Sequence, residues 1–194
     1  ELIGDADLLL TNSALVSQGS TIGGTGSLVI DQDASLRIDG GTLTLRESRS
    51  LETRAVTDGT NPGTLFVDDD LTLTLADDSF LDNAGRIDIT ADGDIVDGAN
   101  AAGFTIGSRL FNSGTLARSG TTGLLSVLSA EQASSSGTLE LAGDLSLRGG
   151  LDLTGTASVT GAGFLTVDTG GVLGVAGTAT PSIDRLRLST GSMQ

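Results

Sequence analysis

The 194-residue chain contains no cysteine, histidine, lysine, tryptophan or tyrosine. Without cysteine it can form neither disulfides nor thiolate–metal sites. Without histidine and lysine it lacks two of the usual proton-transfer groups, and a nucleophilic triad has no base. Its aromatics are five phenylalanines, so the core must be thin and layered, built from Leu, Val, Ile and Ala. No apolar run approaches the roughly 18 residues of a membrane-crossing helix. Ten basic residues face 25 acidic ones, for a net charge of −15. That charge excludes nucleic-acid binding through phosphates and disfavours adsorption on an anionic membrane surface. It suits a solvated acidic surface able to attract divalent cations or basic partners. No signal peptide is visible, and the chain opens on Glu1. A segment of a longer, processed protein is therefore expected.

Turn formers are abundant. There are 29 glycines, and twenty of the 25 acids are Asp. The short Asp carboxylate bonds nearby backbone and tolerates unusual φ/ψ. The scarcity of Glu and absence of Lys argue against helices.

A Gly-Thr-Leu tripeptide or a close variant recurs at Gly26, Gly41, Gly63, Gly85, Gly114, Gly137 and Gly163. Its spacing is irregular but close to 23 residues, which suits one turn of a three-strand solenoid with corner loops of variable length. Each opening leads into alternation, as in Thr42-Leu43-Thr44-Leu45, Leu71-Thr72-Leu73-Thr74-Leu75 and Thr138-Leu139-Glu140-Leu141. Period two puts the aliphatics on one face of a strand and Thr, Ser or Asp on the other. Strands this short cannot bury a face alone, whereas stacking turns about 4.8 Å apart pairs every backbone group. A sandwich or antiparallel barrel uses similar strands but does not explain the recurring opening. A left-handed hexapeptide solenoid needs a strict six-residue period, which is absent. The expected fold is all-β: a right-handed, single-stranded parallel β-helix (β-solenoid) of about eight irregular turns, one domain over 1–194. Residues 46–61, 90–103 and 129–136 break the alternation and are expected to protrude as loops.

Leu110-Phe111-Asn112-Ser113-Gly114-Thr115-Leu116-Ala117-Arg118-Ser119-Gly120, continued by Ser136-Gly137-Thr138-Leu139-Glu140-Leu141 and Gly161-Ala162-Gly163-Phe164-Leu165-Thr166-Val167, resembles the β-helical repeats of large bacterial surface and secreted proteins. Those include autotransporter passengers and filamentous-haemagglutinin-like adhesins. The resemblance is good over residues 104–175 and loose over 20–90. It implies secretion to the cell surface and a long parent chain, and it implies no catalytic residue.

For metal chemistry, Asp68, Asp69 and Asp70 form one oxygen-rich cluster and Asp92, Asp94 and Asp97 another. Either is a candidate Ca²⁺ site, weighed against a plain charged corner; the Glu that closes an EF-hand is missing. Gly23-Gly24-Thr25-Gly26-Ser27-Leu28 begins like a calcium-binding nonapeptide but places Leu28 where the ligating Asp belongs. Sugar cleavage by carboxylates alone is formally open, although aromatic stacking platforms are scarce. Outward Thr pairs raise ice binding, but Arg37, Asp88 and Glu140 are expected to interrupt them, and the β-propensity of Thr suffices as an explanation. The leading expectation is a non-enzymatic, extracellular structural segment of a stalk or filament that self-associates through its ends. An adhesin module gripping a glycan or host surface comes second. A polysaccharide-degrading enzyme and an ice-binding protein come after it.

Overall fold

A computed structural model describes residues 2–16, 19–38, 40–68, 70–90, 92–98, 107–120 and 126–194. The described residues form short strands, and each pairs in parallel with the third strand before it and the third after it, the first and last strand of each sheet having one such partner. The result is three parallel sheets of nine, nine and eight strands. The chain is thus a parallel β-helix of about eight three-strand coils with a further coil begun. One coil reads Gly41–Leu45 in the first sheet, Ser50–Thr53 in the second and Thr64–Val67 in the third. The next is Leu71–Leu75, Phe80–Asn83 and Arg86–Ile89.

Register converts the alternation into columns. In the third sheet Leu36, Leu65, Ile87, Leu116, Leu139, Val159 and Ile183 stand directly over one another. In the second sheet Leu28, Leu51, Leu81, Leu110 and Ala133 do the same. Nearly all of these are fully buried. No ring is needed, because each layer contributes a few branched aliphatics and rests on an almost identical layer below.

The corners explain the Asp-rich, Glu-poor composition. Asp33, Asp70, Asp77 and Asp78 all adopt left-handed φ, between 52° and 61°, a region that Asp tolerates better than most residues. Glycine serves a different purpose at Gly63, Gly85, Gly114 and Gly137, which stack at the second-to-third-sheet corner. A Cβ on Gly137 would lie 2.1 Å from the Gly114 carbonyl oxygen, and one on Gly114 would lie 2.2 Å from that of Gly85. These four mark equivalent places on successive coils. Gly26 opens a second-sheet strand, and Gly41 and Gly163 lie at the start of first-sheet strands. The spacing near 23 residues therefore mixed three corners.

The three stretches expected to protrude behave differently from one another. Within 46–61, the strand Ser50–Thr53 lies in the second sheet with Leu51 buried, and the excursion is the segment 54–63. Within 90–103, Asp94–Asp97 is a first-sheet strand, while residues 99–103 lie outside the described residues. The stretch 129–136 carries the strand Gln132–Ser135, paired on both sides and burying Ala133 and Ser135. Its inward residues are small or hydroxylic, so they carry no hydrophobic alternation, yet their place in the coil is a strand.

Candidate functional site

Of the carboxylates singled out in the sequence, Asp68, Asp70, Asp92 and Asp94 lie at the third-to-first-sheet corner of two successive coils, and Asp97 lies at the far end of the strand Asp94–Asp97. Asp68 is held by Arg37 at 2.6 Å and by the Thr90 hydroxyl at 3.0 Å. The Asp70 amide donates to the Asp92 carboxylate at 3.1 Å, so these two meet at the third-to-first-sheet corner. Asp94 points outward from the first sheet and accepts the Val127 amide at 2.7 Å. Asp97, at the opposite end of that strand, accepts the Ser108 hydroxyl. Asp69 lies outside the described residues. Among the described residues no group of three or more carboxylates gathers as a metal cage would require. Burial, followed by the nearby Asp92 charge, raises the Asp94 carboxyl above its ordinary range, against the Val127 hydrogen bond. Burial, followed by Glu131, raises Asp97. Asp94 and Asp97 are kept apart because they occupy the two ends of one strand.

The outward threonines do stack. Thr42 pairs with Thr72 and Thr44 with Thr74 on the first sheet. Arg37, Asp88 and Glu140 lie on the third sheet, so they do not interrupt this array as expected. Asp94 and Val96, on the next first-sheet strand, do. Two coils of paired Thr remain.

Two further features were not anticipated. The first lies inside the rod, where Thr53, Asn83, Asn112 and Ser135 form a buried polar column in the second sheet. Thr53 donates to the Asn83 carbonyl oxygen. The Asn83 amide donates to Asn112 at 2.6 Å, and the Asn112 amide to Ser135 at 2.9 Å. The asparagines also reach the backbone carbonyls of Thr115 and Thr138. Burying such groups is tolerable because each is satisfied.

The second feature is the outer face of the second sheet. Its outward column runs Val29, Glu52, Asp82, Phe111, Ser134, Asp152 and Gly174. Beside it stand Ser50, Phe80, Arg109 and Gln132. Glu52 and Asp82 therefore sit side by side as like charges on neighbouring strands, an arrangement that ordinarily destabilises a sheet. Partial burial and then Glu52 raise the Asp82 carboxyl. Phe111 is 41% exposed, and the Arg109 guanidinium covers the Phe80 ring at 5.0 Å. Two hollows lie on this one face. One, of about 280 Å³, is lined by Gln32, Glu52, Arg54, Thr57 and Asp82. The other, of about 310 Å³, is lined by Phe111, Glu131, Gln132, Ser134 and Asp152.

The segment 54–63 walls the first hollow and is built rigidly from the coil beneath. The Gln32 carbonyl oxygen accepts the amides of Thr57, Asp58 and Gly59 at 2.7–2.8 Å. The Asp33 carboxylate accepts those of Thr60 and Asn61, and these bonds lower its pKa. At the opposite corner, Glu131 accepts the Gly107 amide at 2.6 Å. The outward column could have been found by aligning Ser-Leu-Glu-Thr (50–53), Phe-Leu-Asp-Asn (80–83), Arg-Leu-Phe-Asn (109–112) and Gly-Leu-Asp-Leu (150–153) on their inward Leu. Comparison with protein-family models, curated proteins and solved structures finds no match for this chain.

Proposed function

We propose that the chain is a stiff structural segment of an extracellular bacterial stalk, filament or surface protein, with adhesion as the second reading. The observation that carries this is continuity: coil stacks on coil from Leu2 to Met193, with the same three-sheet cross-section and one continuous aliphatic core. Stacked parallel strands of this kind bond every rung to its neighbours, so an interior coil opens only by breaking its contacts with the coils on both sides, which makes the rod stiff and hard to cleave.

The terminal coils support association through the ends. By register, Leu2 faces inward with Ile22, Leu188 with Val167, and Met193 with Leu173. All three are nonetheless exposed by 45–53%. An open strand edge with apolar inward residues suits pairing with a further coil, supplied by adjoining sequence or by a second copy. The resemblance to β-helical surface-protein repeats agrees with a long parent rod.

Sedimentation velocity over a hundredfold concentration range tests this. The isolated chain is expected to form species that lengthen with concentration, and Leu188→Asp with Met193→Asp should return it to monomer. A single monomeric species throughout for the unaltered chain would count against the reading.

A further inference from the structure

The outer face of the second sheet is more than the surface of a rod, since it is sculpted in ways that rod-building does not require. Its two hollows lie along one axis-parallel column, joined by Asp82 and Phe111 on adjacent strands. A pinned wall borders the first hollow. Exposed Phe111 offers a flat apolar ring, while Glu52, Asp82 and Asp152 supply acceptors and Gln132 and Ser134 supply donors. A few convergent polar groups around an apolar surface is the usual make-up of a ligand site.

We propose that this face binds a neutral oligosaccharide chain lying along the rod axis, with one sugar ring stacked on Phe111 and hydroxyls bonded to Asp82, Asp152 and Gln132. The chemistry narrows the occupant. An extended peptide recognised by strand addition needs free main-chain groups at a sheet edge, and here those groups are used between coils. Anionic glycans and nucleic acids meet Glu52, Asp82 and Asp152 on a chain of net charge −15 and are repelled. A neutral saccharide presents apolar ring faces to the phenyl group and hydroxyls to the carboxylates. Glu52, which accepts the Ser50 hydroxyl at 2.9 Å, and its neighbour Asp82 then serve as adjacent acceptors. This inference stands apart from the rod reading: the groove needs the coil geometry but no assembly.

The test is an array of neutral hexasaccharides (gluco-, xylo- and manno-configured) with oligogalacturonate hexamer as the acidic comparison, followed by calorimetric titration of the strongest binder at 0.15 M salt. At least one neutral hexamer should bind and the acidic one should not. Phe111→Ala should weaken binding about tenfold, on the order of 1.4 kcal/mol, with Asp82→Asn and Gln132→Ala also weaker. Phe66→Ala on the third sheet should leave it unchanged. Circular dichroism melting of each variant reports whether it folds. No retained neutral hexamer, preference for the acidic one, or full affinity in folded Phe111→Ala would overturn the proposal.

Discussion

Asn112 shows how much one residue can carry in a repeating fold. Its side chain bonds Asn83 on the coil below and Ser135 on the coil above, and it is 3% exposed. Asn112→Ala would leave two buried partners unsatisfied, and leaving such groups unpaired costs about 2–3 kcal/mol in all. Denaturant titration should show that loss, with Asn112→Asp restoring little because a carboxylate has no donor for Ser135 or Thr138. Titration gives a second expectation. Asp82, Asp94 and Asp97 are raised in the fold. The folded state therefore holds their protons more tightly than the unfolded chain, and stability falls as pH rises through their folded pKa values. Asp33 and Asp168 are lowered, chiefly by backbone hydrogen bonds from Thr60 and Thr169. Their contribution is present above the ordinary value of 3.8 and is lost as pH falls below it. Melting temperature should accordingly rise from pH 7 toward 4 and drop below 3.8. Asp82→Asn should flatten the first limb, and a steady decline from pH 7 downward would refute the assignment.

A strand in this fold is defined by its neighbours above and below more than by its own residues, which sets what could be read in advance. Thr42–Leu45 and Leu71–Leu75 were legible because Leu recurs at every second place and each such Leu is buried. The strand Gln132–Ser135 was not, since its inward residues are Ala133 and Ser135 and its position is set by Asn112 and by pairing to Asn112's strand. Ser50–Thr53 was hidden for a related reason: one inward residue is Leu51, but the other is Thr53, at the end of the polar column. Asp94 and Asp97 stay apart because they occupy the two ends of one strand, whereas Glu52 and Asp82, thirty positions apart, become neighbours only once their strands are aligned on the inward Leu51 and Leu81. Glycines at corners are equally relational. Gly137→Ala should destabilise by about 3 kcal/mol, as overpacking against a fixed carbonyl does. Gly155→Ala, with φ of 55° and open space around it, should cost nearer 1 kcal/mol through backbone strain alone. In the segment 54–63, Gln32→Ala releases three amides at once. Hydrogen exchange at Thr57, Asp58 and Gly59 should quicken sharply while the melting temperature hardly moves; unchanged exchange would show that the wall does not depend on Gln32.

The whole molecule is an acidic rod whose length grows by one strand spacing per coil. The recurring Gly-Thr-Leu openings, together with a thin aliphatic core without Trp or Tyr, were the clue to that architecture, because a solenoid fills such a core at every level with the same few residues. Its proposed work, bearing load along the axis and presenting one grooved face, follows from the same regularity. The absence of native cysteine permits a direct measurement of it. Spin labels on Leu9→Cys and Asp152→Cys would occupy one outward column, six coils apart by register. At about 4.8 Å per coil the stacked rod places their backbones about 29 Å apart, so electron–electron resonance should return a single narrow distribution near that distance, widened only by the label tethers. A broad distribution, or a mean near half that value as in a sandwich folded back on itself, would contradict the stacked-coil rod.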